Sequence, residues 1–219
     1  MEHLIEFVLA IFLITNLMMA ASSRLMHCIR VVVIQGILLG LLPLLLGHLE
    51  FPEIAAALLN VSIKGIALPY LLIAAIKRAD VCRELEPLVG YSTSLIIVLF
   101  FFGVSFWLGT KLPADAEYLR LATPTAVATM LTGLFIVMAR RKAITQAIGF
   151  LTFENGIALF GTGRMLEFGF AVELGILLDV LVLVFVMGIA VMRIKREFQH
   201  IDSDKLNFLG DNKEEVKHD

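Results

Sequence analysis

Seven runs of apolar residues, each long enough to cross a hydrocarbon core, set the pattern of this chain: about Leu4 to Ala21, Cys28 to Gly47, Ala55 to Ile76, Thr93 to Gly109, Thr123 to Ala139, Ile144 to Gly161 and Gly169 to Met192. Each is predicted to be a helix, because a backbone in lipid must satisfy its own hydrogen bonds. The predicted fold is all-α, a polytopic integral membrane bundle of seven transmembrane helices. The segment Lys77 to Tyr91 carries both charge signs, and Glu86-Pro87 stops a helix, so it reads as a connector. Thr110 to Ala122 is the natural boundary between a four-helix portion (1–112) and a three-helix portion (113–198). In the tail (199–219), Ile201 to Gly210 keeps enough hydrophobes to dock on a partner, and Asp211 to Asp219 has a disordered composition.

Polar residues inside these runs are the candidate chemistry. Glu154 lies about ten residues into the run that follows Arg140-Arg141-Lys142. A helical rise of about 1.5 Å per residue puts it near the centre of a core roughly 30 Å thick. A carboxylate there costs roughly 3 kcal/mol, so such residues face a bundle interior and often carry ions or protons. Asp179 sits at the same depth in the last run, and Glu173 nearer its outer third. Six residues turn a helix by roughly 600°, so these two acids point about 120° apart and form no dyad on one face.

In the third run, Asn60-Val61-Ser62-Ile63-Lys64-Gly65-Ile66-Ala67-Leu68-Pro69 buries a lysine beside a helix breaker. Pro69 has no N–H and clashes with the Gly65 carbonyl, so the backbone is expected to bend or break there. Asn60, one turn from Lys64, is placed to hydrogen-bond the ammonium. Lys64, Glu154 and Asp179 share one central layer and form a candidate lateral proton relay, with a structural ion pair as the alternative for Lys64. Gln35 reads as a polar link between helices, with Asn155 beside Glu154 as a second supporting amide. Glu6, Thr15 and Asn16 are expected to be solvated near the membrane interfaces, and Phe100 to Phe102, Phe106 and Trp107 to face lipid.

Composition agrees with this class: 59% of residues are hydrophobic and 17% charged, against roughly 45–50% and about 25% in soluble domains. A net charge of -2 gives no reason to expect nucleic acid as a partner. Cys28 and Cys82 stand singly, without CxxC or Cys/His spacing, so the chain's own residues call for no metal, no cofactor and no catalytic centre. Met1-Glu2-His3 lacks a basic leader, and the first helix is expected to be retained. Of the 18 lysines and arginines, fourteen fall to one side of the seven runs, three to the other and Lys64 within a run. By the positive-inside rule the N-terminus is then outside, and the C-terminus and both cysteines face the cytoplasm.

The motifs Ser62-Ile63-Lys64-Gly65-Ile66-Ala67-Leu68-Pro69, Phe153-Glu154-Asn155-Gly156 and Val172-Glu173-Leu174-Gly175-Ile176 followed by Asp179 resemble component E of the hydrogenase-4 type complexes. These are the group 4 membrane-bound hydrogenases and formate hydrogenlyases related to respiratory complex I, and the likeness extends over the whole chain. The last three helices also resemble the small K subunit of complex I, as in Ala147-Ile148-Gly149-Phe150 after a basic loop and Ile201-Asp202-Ser203 in the tail. Where the K subunit usually has its acid this chain has Leu151, and the acid falls one turn later.

The resemblance implies a non-catalytic, multi-pass subunit of the cytoplasmic membrane of a bacterium or archaeon. Its partners would be antiporter-like and H-subunit-like membrane chains and, through them, the large and small hydrogenase subunits that hold the nickel–iron centre. Lys64, Glu154, Glu173 and Asp179 would then contribute to a proton or sodium path, supported by Asn60, Asn155 and Gln35. Two alternatives stay open. One is a subunit of a multi-subunit sodium/proton antiporter, although the K-like C subunit there is a shorter, three-helix chain; the other is a scaffold with no ion path.

Overall fold

The computed structural model describes residues 2–46, 58, 61–79, 88–112 and 120–163. Their elements are all helical: α1 (Glu2–Ala21), α2 (Leu25–Leu45), a π-helical turn (Ile63–Ala67) leading into α3 (Leu68–Ala79), α4 (Tyr91–Gly109), α5 (Ala122–Ala139) and α6 (Ala143–Gly163). Among the described residues five helices are long and apolar enough to cross a membrane, His3–Ala21, Leu25–Leu45, Tyr91–Gly109, Ala122–Ala139 and Ala143–Thr162, with Ile63–Ala74 a shorter apolar helix. The last predicted run, Gly169 to Met192, and most of the third run before Val61 lie outside the described residues.

The break expected at Pro69 takes a milder form. The helix continues through Lys64 but widens, the Leu68 N–H reaching back five residues to the Ile63 carbonyl instead of four. A proline supplies no N–H and its ring crowds the carbonyl four residues earlier, and adding one residue to the turn relieves that clash without ending the helix.

α1 packs on α2, α2 on the π-turn and α3, α4 on α5, and α5 on α6. Chain ends meet at a basic end of the bundle, where α1 stops, α2 starts, α3 stops, α4 starts, and α5 hands over to α6. Arg140, in the three-residue turn between α5 and α6, holds that end together. Although it reads in sequence as one more surface charge, it is only 2% exposed. Its guanidinium donates to the Ala20 carbonyl in the last turn of α1 (3.0 Å) and to the Val89 carbonyl just before α4 (3.3 Å), and it lies 4.5 Å from the centroid of the Tyr91 ring. The last carbonyls of a helix lack intrahelical donors and carry partial negative charge, so a cation is favoured there. Hydrogen bonds to a charged group are worth about 1.5–3 kcal/mol each, so Arg140→Met is expected to lower stability by about 3 kcal/mol. A purified Arg140→Met protein that melts with wild type, alongside an Arg30→Met control at an exposed site, would remove this role.

The α5–α6 pair is the most extensive interface, and glycines make it a backbone contact. A Cβ on Gly156 would lie 2.6 Å from the Met130 nitrogen, and one on Gly133 would be 2.7 Å from the Gly149 carbonyl oxygen and closer still to the Phe153 nitrogen. Small residues that let backbones touch are the usual basis of helix association where lipid supplies no hydrophobic drive. By contrast α4 lies at the periphery, burying only Ser94, Val98 and Ser105. Phe100 and Trp107 point outward, but Phe101 and Phe102 pack inward, Phe101 meeting Phe135 edge-on at 6.1 Å.

Apolar side chains gather in two clusters. One, at the basic end, includes Met19, Leu25, Ile29, Leu72, Ile136 and Ile148; the other, at the opposite end, includes Ile5, Phe12, Leu39, Leu42 and Leu159. Between them lies a polar layer, where Gln35 is the eleventh of 21 residues in α2, Thr129 the eighth of 18 in α5 and Glu154 the twelfth of 21 in α6.

Candidate functional site

Lys64 is 4% exposed, and its Nζ lies 2.5 Å from Glu154 Oε1. The two residues are ninety apart in sequence and meet because α2 lets the π-turn approach closely. A Cβ on Gly36 would stand 2.8 Å from Lys64 Cβ, closer than packing permits, so only glycine admits the lysine at this depth. Removing a lysine and a glutamate from water costs several kcal/mol per ion. Such a pair is favoured by a short contact and additional hydrogen bonds; the contact is short, and the lysine makes a further hydrogen bond.

The ammonium also donates to Asn155 Oδ1 (3.1 Å), and Asn155 Nδ2 donates to Gln35 Oε1 (3.5 Å). Gln35 Nε2 in turn donates to Thr15 Oγ1 and Asn16 Oδ1, both at 3.0 Å. Asn16 Nδ2 donates to Thr129 Oγ1 (2.8 Å), whose hydroxyl donates to the Thr125 carbonyl (2.8 Å). One line of donors thus runs from Lys64 across α6, α2 and α1 into α5, each amide turned so that its oxygen faces the ammonium side. This orientation turns the negative end of each amide dipole toward the ammonium side. Asn and Gln amides neither gain nor lose protons near neutral pH. The line therefore positions and polarises, and Lys64 and Glu154 are the ionisable side chains among these residues.

Four of the residues singled out from sequence, Lys64, Glu154, Asn155 and Gln35, come together here. The amide on the ammonium is Asn155; Asn60, expected in that role, lies outside the described residues, as do Glu173 and Asp179. Thr15 and Asn16 overturn the expectation of interfacial solvation, being 3% and 0% exposed and bonded to Gln35. Their run stays apolar through Met19-Ala20-Ala21, which was the available sign that the pair lies inside it. Thr129 carried no sequence signal, since a lone hydroxyl in an apolar helix usually bonds its own backbone, as Thr132 and Thr152 do.

An all-helical bundle of membrane-spanning type, with a lysine–glutamate pair enclosed at mid-height, is the class that fold and site define. The chain belongs to the family of the uncharacterized protein Rv0085 of Mycobacterium tuberculosis, to which it is 32% identical over 214 residues, a span covering 95% of this chain and 96% of that protein. No protein-family model matches the chain, and no solved structure matches it significantly.

Proposed function

We propose that this chain is a seven-span, non-catalytic membrane subunit of a complex-I-related assembly of the hydrogenase-4 or formate hydrogenlyase type. In this reading the N-terminus is outside, the C-terminus faces the cytoplasm, and the Lys64–Glu154 pair lies on a proton or sodium path, continued by Glu173 and Asp179. The observation that carries the reading is the enclosed 2.5 Å contact between Lys64 and Glu154, since ionisable pairs kept at such cost inside a bundle usually serve ion movement. The motif resemblance around Lys64, Glu154 and Asp179 supplies the redox class.

Purification of the native assembly tests that class: a nickel–iron large subunit is expected among the companions. A monodisperse chain that exchanges ions without companions would overturn the subunit reading. Within the assembly, Lys64→Arg keeps the charge but holds its proton at working pH, so it is expected to assemble yet lose most ion coupling, as Lys64→Met does. Full coupling in the arginine variant and none in the methionine variant would leave Lys64 a fixed charge. A scaffold reading is favoured by the amide line that holds Lys64 in place, and it requires that neutral replacements preserve coupling.

A further inference from the structure

Beside the ion pair lies a cavity of about 10 Å³ bounded by Lys64, Leu68 and Pro69 on one helix, by Val32 and Val33 of α2, and by Asn155 of α6. That volume is about what one water molecule needs. A site also needs polar partners, and the π-turn provides one that ordinary helices do not. The Lys64 carbonyl would normally accept from the Leu68 N–H, but that N–H is committed to Ile63. The next donor along a π-helix would be residue 69, which is Pro69 and has none. Lys64 therefore keeps a main-chain carbonyl without a helical donor, pointing toward the Leu68–Pro69 turn that lines the cavity. Its ammonium has three N–H groups, of which Glu154 and Asn155 take two. Asn155, which also lines the cavity, has a second lone pair on Oδ1.

We propose that this cavity is a hydration site, in which one water molecule bridges the ammonium and the main-chain carbonyl of Lys64 and gives the buried ion pair its contact with exchangeable protons. The position of Pro69 five residues after the lysine is what creates the site, by leaving that carbonyl unclaimed. Hydration of Lys64 is independent of the assembly the chain serves; only its use as a proton connection rests on the ion-path reading.

The test is water-edited solid-state NMR on ¹⁵N-lysine-labelled full-length chain, in its purified assembly in bilayers, with the Lys64 signal assigned by its loss in Lys64→Arg. Wild type is expected to show magnetisation transfer from water to Lys64 Nζ despite its burial. Val32→Ile, which adds a methyl group to the cavity wall, is expected to lose most of that transfer. No transfer in wild type overturns the hydration site, as does unchanged transfer in a folded Val32→Ile protein. Should Val32→Ile fail to fold, the wild-type signal still decides. Transfer together with full coupling in Lys64→Arg would keep the water site and reject the proton-path reading, so the two failures are distinguishable.

Discussion

Glu154→Leu is expected to lower the stability of the bundle by about 3–5 kcal/mol, because it strands a buried ammonium whose nearest counter-charge is gone. The same principle sets the sign of the rescue. Replacing both members by apolar residues of similar volume removes both desolvation costs together, and such exchanges are often neutral or stabilising. Lys64→Met with Glu154→Leu is therefore expected to recover most of the loss, less about 1 kcal/mol for the Asn155 oxygen that then lacks its donor. Thermal unfolding of the single and double variants measures both. Equal melting of Glu154→Leu and wild type would mean that the pair is not formed, and a double variant as unstable as the single one would mean that the loss came from packing. Recovery of stability must not bring back ion coupling, since the double variant holds no titratable group at this position.

Gly133→Val should be nearly as damaging, for a reason that involves no charge. A Cβ there meets the backbone of α6 at Phe153 and Gly149, and backbone cannot turn aside as a side chain can. Overpacking usually costs about 1–3 kcal/mol; with two helix backbones forced apart, about 3 kcal/mol or more is expected. The displacement falls on the turn of α6 that carries Glu154 and Asn155, so ion-pair geometry should suffer along with stability. Gly103→Val on α4 is the control, because a Cβ there has nothing within 4 Å. If Gly133→Val and Gly103→Val melt alike, the direct backbone contact of α5 with α6 is wrong.

Charge in an apolar run was the most legible signal in the sequence. Lys64 and Glu154 stand out because burying either alone is costly, and counting residues along their runs places both, with Asp179, in one central layer without saying which acid meets the lysine. Gln35 and Asn155 were visible for the same reason in weaker form. What could not be read was which polar residues would meet. Asn16 lies near the end of its run by counting from Glu2, but α1 is set along the bundle so that Asn16 reaches Gln35 at mid-height; the apolar residues up to Ala21 indicate that it is inside the run, and nothing in α1 alone names its partner. Arg140 misled in the opposite direction: beside Arg141 and Lys142 it looks like a surface cation, and its burial depends on three chain ends that converge only in the folded bundle. Pro69 signalled a local departure from the α-helix, but a proline is compatible with a bend, a break or a widened turn, and here the helix widens.

The most direct test of the central claim, that the Lys64–Glu154 pair carries ions for the assembly, is ion translocation by assembled complexes carrying Glu154→Gln. Glutamine keeps the shape of the side chain and an oxygen for Lys64 to bond, but it cannot accept a proton at working pH. Assembly close to wild type with most translocation lost is the predicted result; wild-type translocation in assembled Glu154→Gln complexes would contradict the account and leave the pair a structural tie between helices.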